Sequence, residues 1–101
     1  MKVQNMTNAN GKAVPNQFII RIDSPSIYGN FLWREVFQSY NSVIAIKTKW
    51  ENEPIKIELD KGKWDFSKTT GKYRNQFLGE TKKDTEAKIK SGEYILTALN
   101  K

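Results

Sequence analysis

The hydrophobic period of this chain changes from two to helical near Trp64, and that change limits its fold more than any other feature. Before it, apolar residues recur at every second position. "IKIELD" (55–60) sets Ile55, Ile57 and Leu59 against Lys56, Glu58 and Asp60, the pattern of a strand with one face in the core and one in water. "QFIIRI" (17–22) alternates Phe18, Ile20 and Ile22 with Ile19 and Arg21, which gives one wholly apolar face. "FLWREVFQSY" (31–40) places Trp33 and Phe37 on one side and Arg34, Val36 and Tyr40 on the other. The β-branched "SVIAIKTKW" (42–50) follows after a link short enough for an antiparallel neighbour. Asn10-Gly11, a pair suited to a type I′ turn, predicts an N-terminal hairpin from about Val3 to Val14.

After Trp64 the spacing becomes helical. Ser67 is a suitable N-cap, Thr70, Tyr73 and Phe77 fall on one face with Leu78 beside them, and Gly79 stands where a left-handed C-cap belongs. A second helix starts at the Thr81 cap and runs through "KKDTEAKIK", with Thr85 and Ile89 inward and Gly92 as its stop. "EYILTALN" (93–100) returns to the sheet as a C-terminal strand. The sum is a single α+β domain over residues 1–101: a small antiparallel β-sheet, made of the N-terminal hairpin plus three or four strands, packed against two short helices. A domain of this size needs its large side chains inside, so Phe18, Phe37, Trp64 and Phe77 are assigned to the core. Trp33 and Trp50, at strand ends among charges, are expected outside.

With no histidine and no cysteine, zinc sites, the Ser-His-Asp arrangement and the Cys-His pair each lack an essential member. No catalytic residue, metal site or cofactor is therefore expected, and the chain is read as a non-enzyme. Metal-dependent turnover would have to rest on Glu58, Asp60, Asp65 and a lysine. The run from Asp84 to Lys88 echoes a nuclease pattern, but it falls in a helix, where Asp84 and Lys88 are better read as an i, i+4 surface pair. "TTGK" (69–72) invites comparison with a phosphate loop, yet Phe66 and Tyr73 stand where that motif requires glycine and a hydroxyl. No stretch approaches a membrane span, and "MKVQNMTNANGK" lacks the apolar centre of an export signal, so a cytoplasmic location without membrane contact is expected.

Charge supplies the positive signal. The chain carries +6, and residues 61–90 hold nine of its basic side chains against four acidic ones. A polyanion or an acidic protein surface would be drawn to that side; solvated helix faces are the plainer reading. Within it, Ser67, Lys68, Thr69, Thr70, Lys72 and Arg74 form a candidate anion or partner site at the start of the first helix, with Lys68, Lys72 and Arg74 on its outward side. The exposed aromatics Tyr28, Trp33 and Trp50 form a second candidate contact, for a protein, and Trp33, Tyr40, Trp50, Trp64 and Tyr73 are the candidates for stacking on bases.

Four stretches, "VPNQFII" (14–20), "FQSYNSVIA" (37–45), "WDFSKTTGKYRNQFLGE" (64–80) and "IKSGEYILTALN" (89–100), together resemble an uncharacterised family of small proteins of bacteriophages and prophages. That family has no established activity or binding residues, so the resemblance implies a context rather than a mechanism. The segment 21–36 is longer than the matching link of the family and carries Tyr28, Phe31 and Trp33. In the cytoplasm of a host cell, the expected role is an accessory or counter-defence protein that occupies a surface of a host nucleoprotein enzyme or of nucleic acid. The alternatives are a structural or assembly component of the virion and a basic single-stranded nucleic-acid-binding protein. Its expected partners are a host or phage protein, or nucleic acid.

Overall fold

The computed structural model describes residues 1–23 and 31–100. Six strands follow one another across a single sheet in chain order: β1 (Lys2–Thr7), β2 (Ala13–Asp23), β3 (Phe31–Ser39), β4 (Ser42–Trp50), β5 (Lys56–Asp60) and β6 (Ile95–Thr97). The first five are antiparallel neighbours. Two helices, α1 (Lys68–Leu78) and α2 (Lys82–Ser91), lie between β5 and β6 and form a crossover, so β6 joins β5 in parallel. The sheet is thus mixed, and larger than the small antiparallel one expected.

Local chemistry explains the turns. The first hairpin forms, but its link is the five residues 8–12 rather than a two-residue type I′ turn. Asn8 sets this geometry, because its Oδ1 accepts from the backbone N–H groups of Asn10 and Lys12, at 2.9 and 3.0 Å. Only Gly11 of the expected pair takes a positive φ, 78°. Between β3 and β4, Ser39 pairs with Ser42 across Tyr40 and Asn41. Tyr40 adopts φ 54°, unusual for an aromatic residue, and its N–H donates to the Asn16 carbonyl at 2.7 Å.

The helices cover one face of the sheet. Ile19, Phe37, Ala45 and Leu59 lie abreast on that face, and Phe37 meets Phe77 of α1 with ring centroids 5.8 Å apart. Around them the core gathers Met6, Ile44, Tyr73 and Tyr94. The register slips between Phe37 and Gln38, which pair with Ala45 and Val43, so Ile44 is left over as a bulge. This irregularity buries Ile44 and Ala45 together, where strict alternation would expose one of them.

Register also reverses one expectation. Because Ile19 pairs with Phe37, the apolar set Phe18, Ile20 and Ile22 points away from the helices. Phe18 is therefore half-buried on the far face rather than in the core, and Trp64 packs at the core's margin. At the strand assigned most plainly, Leu59 is buried and Ile57 half-buried, but Ile55 precedes β5 and is 48% exposed. Asp60, expected in water, is buried: its carboxylate accepts from the N–H groups of Leu99 at 2.8 Å and Gly62 at 3.1 Å. The tail is held further by Asn100, whose amide exchanges two hydrogen bonds with the Val43 backbone, at 2.7 and 2.8 Å.

Facing the core beside Ile19's row is Gln17, fully buried, with neither its Oε1 nor its Nε2 hydrogen-bonded. An unpaired buried amide costs about 1–3 kcal/mol. Gln17→Met keeps the length and removes the polar atoms, so it should stabilise the domain by about 1–2 kcal/mol in urea denaturation. A loss of stability would show that the amide is satisfied in solution.

Candidate functional site

The sequence places hydroxyls and lysines at the start of α1, and the structure shows how that helix is set. β5 ends at Asp60, and a run of turns through Trp64, whose N–H donates to the Asp60 carbonyl at 3.0 Å, leads into the cap. Ser67 is extended at φ −153° and its Oγ accepts from the Thr70 N–H at 3.1 Å. Its hydroxyl also donates to Thr70 Oγ1 at 3.0 Å, and Thr70 Oγ1 lies 3.0 Å from Ser39 Oγ on β3. These three hydroxyls pin the helix start to the sheet. Gly79 at φ 70° closes α1, as expected from its position. Thr81 and Asp84 form a capping box on α2, and Gly92 at φ 86° ends it.

Against the first turn of α1 lies an open groove of about 580 Å³, lined by Asp65, Ser67, Lys68, Lys72, Arg74 and Lys82 among others. The candidate residues separate into two kinds. Lys68, Thr69 and Lys72 are exposed. Thr70 and Arg74 are buried, which corrects the placement of Arg74 on the outer side of the helix. Its guanidinium lies inside, 5.2 Å from the Trp64 ring centroid, and donates to the Trp64 carbonyl at 2.8 Å, Asp65 Oδ1 at 3.0 Å and Asn75 Oδ1 at 2.8 Å. Arg74 is therefore a framework residue that shapes the groove from beneath.

Asp65 is the hinge of the local electrostatics. One oxygen meets Arg74 and the other meets Lys82 Nζ at 2.6 Å. Burial alone would raise its carboxyl, but the hydrogen bonds and charges of Lys82 and Arg74 outweigh that and hold it below the usual carboxylate range. The same contact raises the Lys82 ammonium. With Asp65 engaged twice, Lys68 and Lys72 line the groove as exposed cations, the Lys72 ammonium 5.4 Å from the Tyr73 ring centroid. The arrangement suits an anion or an acidic surface. The Ser67 and Thr70 hydroxyls are engaged with each other.

The other candidates lie elsewhere. Tyr28 is outside the described residues. Trp33 and Trp50 are half-buried and lie on opposite faces of the sheet, because Trp33 pairs with Lys49, the neighbour of Trp50. Trp33 is covered by the Arg21 guanidinium at 4.6 Å, and Trp50 packs edge-on against Phe31 at 6.1 Å. They do not form one exposed surface. Lys88 also departs from expectation: its ammonium pairs with Glu80 at 2.7 Å rather than with Asp84. Among the described residues no three His, Cys, Asp or Glu side chains converge as a metal site. Nor, among them, is any helix long and apolar enough to cross a membrane. Asp65 and Lys82 are the charged groove residues that the sequence did not assign to this site; Asp65, just ahead of α1, was visible only as a possible metal ligand.

Fold and groove together define a small α+β protein with a mixed sheet and a cationic groove beside its first helix. The chain belongs to a family of unknown function, DUF8033, whose family model matches residues 1–94. No curated protein and no solved structure matches it.

Proposed function

We propose that this chain is a non-enzymatic binding protein that takes an acidic surface into the groove at the start of α1. The observation that carries this reading is the pairing pattern within the groove. Its one carboxylate, Asp65, is engaged by Arg74 and Lys82, while Lys68 and Lys72 face outward. The resemblance to small phage and prophage proteins supports an accessory or counter-defence role in the host cytoplasm. The partner is a host nucleoprotein enzyme or nucleic acid itself.

The two kinds of partner separate in a mobility-shift titration at low salt with single- and double-stranded DNA and RNA. Direct binding to nucleic acid predicts an affinity that falls steeply as salt rises, because each neutralised phosphate releases counterions. Lys68→Glu with Lys72→Glu should then flatten the salt dependence by about one unit of log–log slope per lysine. No shift with any of the four nucleic acids would remove the direct version and leave the protein partner.

A further inference from the structure

The face of the sheet turned away from the helices carries a body of apolar side chains that the groove does not use. Val3, Ile20, Val36 and Ile46 stand abreast on β1 to β4, continued by Glu58 on β5 and Ile95 on β6. Phe18 and Val43 flank this row on one side and Ile22 on the other. Val36 is only 9% exposed yet has no part in the helix-side core, while Val3 and Ile95, at the row's two ends, are 56% and 43% exposed. We propose that this face is a homodimer interface in which two copies stack sheet to sheet.

Size and charge both favour a second copy. Strands β1 to β5, spaced about 4.8 Å apart and about 20 Å long, present a face of roughly 24 by 20 Å. Two such faces bring together roughly 1,000 Å², the lower bound for a specific interface. Of the charged residues on that side, Arg34 is engaged by Thr48 at 3.1 Å and by the Phe31 ring at 4.6 Å, and Asp60 by the tail. That leaves Lys56 and Glu58, opposite in sign and two residues apart on β5.

A twofold axis between the sheets, perpendicular to the strands and midway between these two residues, lays β5 on β5. It sets each Lys56 against Glu58 of the partner subunit. The same operation stacks Ile20 of one copy on Ile22 of the partner subunit, and sets Val36 and Ile46 against the partner's Arg34 and the partner's Thr48, whose polar atoms are already hydrogen-bonded to each other at 3.1 Å. The layers then run helix, sheet, sheet, helix. Both α1 grooves stay on the outside, so the dimer would offer two of them.

Sedimentation equilibrium of the full chain from 1 to about 100 μM tests this. The wild type should sediment at twice the chain mass at the upper end. Lys56→Glu and Glu58→Lys should each weaken the dimer about tenfold, since each places like charges face to face. The double swap, Lys56→Glu with Glu58→Lys, should restore it, and circular dichroism should show all three variants folded. A wild type that stays monomeric at about 100 μM overturns the proposal. So does a double swap no tighter than the single variants.

Discussion

Glu80→Ala should lower the melting temperature of this domain by more than about 10 °C. Glu80 lies between the Gly79 cap of α1 and the Thr81 cap of α2, and its carboxylate accepts three hydrogen bonds. They come from Thr85 Oγ1 at 2.6 Å, Lys88 Nζ at 2.7 Å and the Tyr94 hydroxyl at 2.8 Å. The side chain is 7% exposed, and Thr85 and Tyr94 are themselves buried. One residue thus ties the end of α1, the body of α2 and the segment entering β6. Truncating it leaves buried donors short of a partner, a loss of about 3 kcal/mol. At about 4–8 °C per kcal/mol for a domain of this size, the shift is easily measured. A change under about 3 °C would show that the three contacts are not formed in solution.

The same group gives the stability a pH dependence of known sign. Burial would raise the Glu80 carboxyl, but the bonds from Lys88, Thr85 and Tyr94 outweigh it and hold it below the ordinary value. Asp60 behaves likewise, with burial overcome by the bonds from Leu99, Asn100 and Gly62. A carboxyl whose folded pKa lies below its unfolded one contributes stability above the unfolded value, near 4, and loses it as pH falls through the folded one. Tyr94 is the opposite case. Burial first, then the Glu80 contact, pushes its hydroxyl up to about 12. Its contribution is full below the unfolded value near 10 and is lost as pH rises toward about 12. Melting temperature should therefore hold level from about pH 5 to about pH 9 and fall on both sides, and Glu80→Gln should reduce the acid limb.

Arg74→Ala should cost about 3–4 kcal/mol, while Lys68→Glu and Lys72→Glu leave the melting temperature within about 2 °C. Arg74 is 1% exposed and supplies hydrogen bonds to Trp64, Asp65 and Asn75, so its removal leaves the Trp64 carbonyl without that donor and empties the volume of a large buried side chain, while Asp65 keeps Lys82. Lys68 and Lys72 make no comparable buried contact. Thermal melts of the three variants check this directly. If Arg74→Ala melts with the wild type, the framework role is wrong and Arg74 rejoins the lysines as a recognition residue.

Local chemistry was the legible part of this fold. Ser67, Gly79, Thr81 and Gly92 each announced a helix end, because a cap is a property of a few adjacent residues. What could not be seen was register. Nothing in "QFIIRI" says which side of the strand meets the helices; that follows from the pairing of Ile19 with Phe37 and from a bulge at Ile44. The misplacement of Phe18 has that cause. Arg74 was misplaced for a related reason: a long cation at an outward-looking helical position can turn inward when a carboxylate and two further acceptors wait there. Its neighbour Asp65, nine residues earlier, was visible only as a possible metal ligand. Long-range pairs of this kind leave little trace in spacing.

Affinity purification of the tagged chain from cells that express it tests the central proposal, that the α1 groove binds an acidic partner, most directly. The wild type and the variant carrying Lys68→Glu and Lys72→Glu would be compared at equal expression and with melting temperatures matched within about 2 °C. The predicted result is a specific protein or nucleic acid recovered with the wild type and lost with the variant. Recovery of the same partner in equal amount by both would contradict the claim and place binding elsewhere on the molecule.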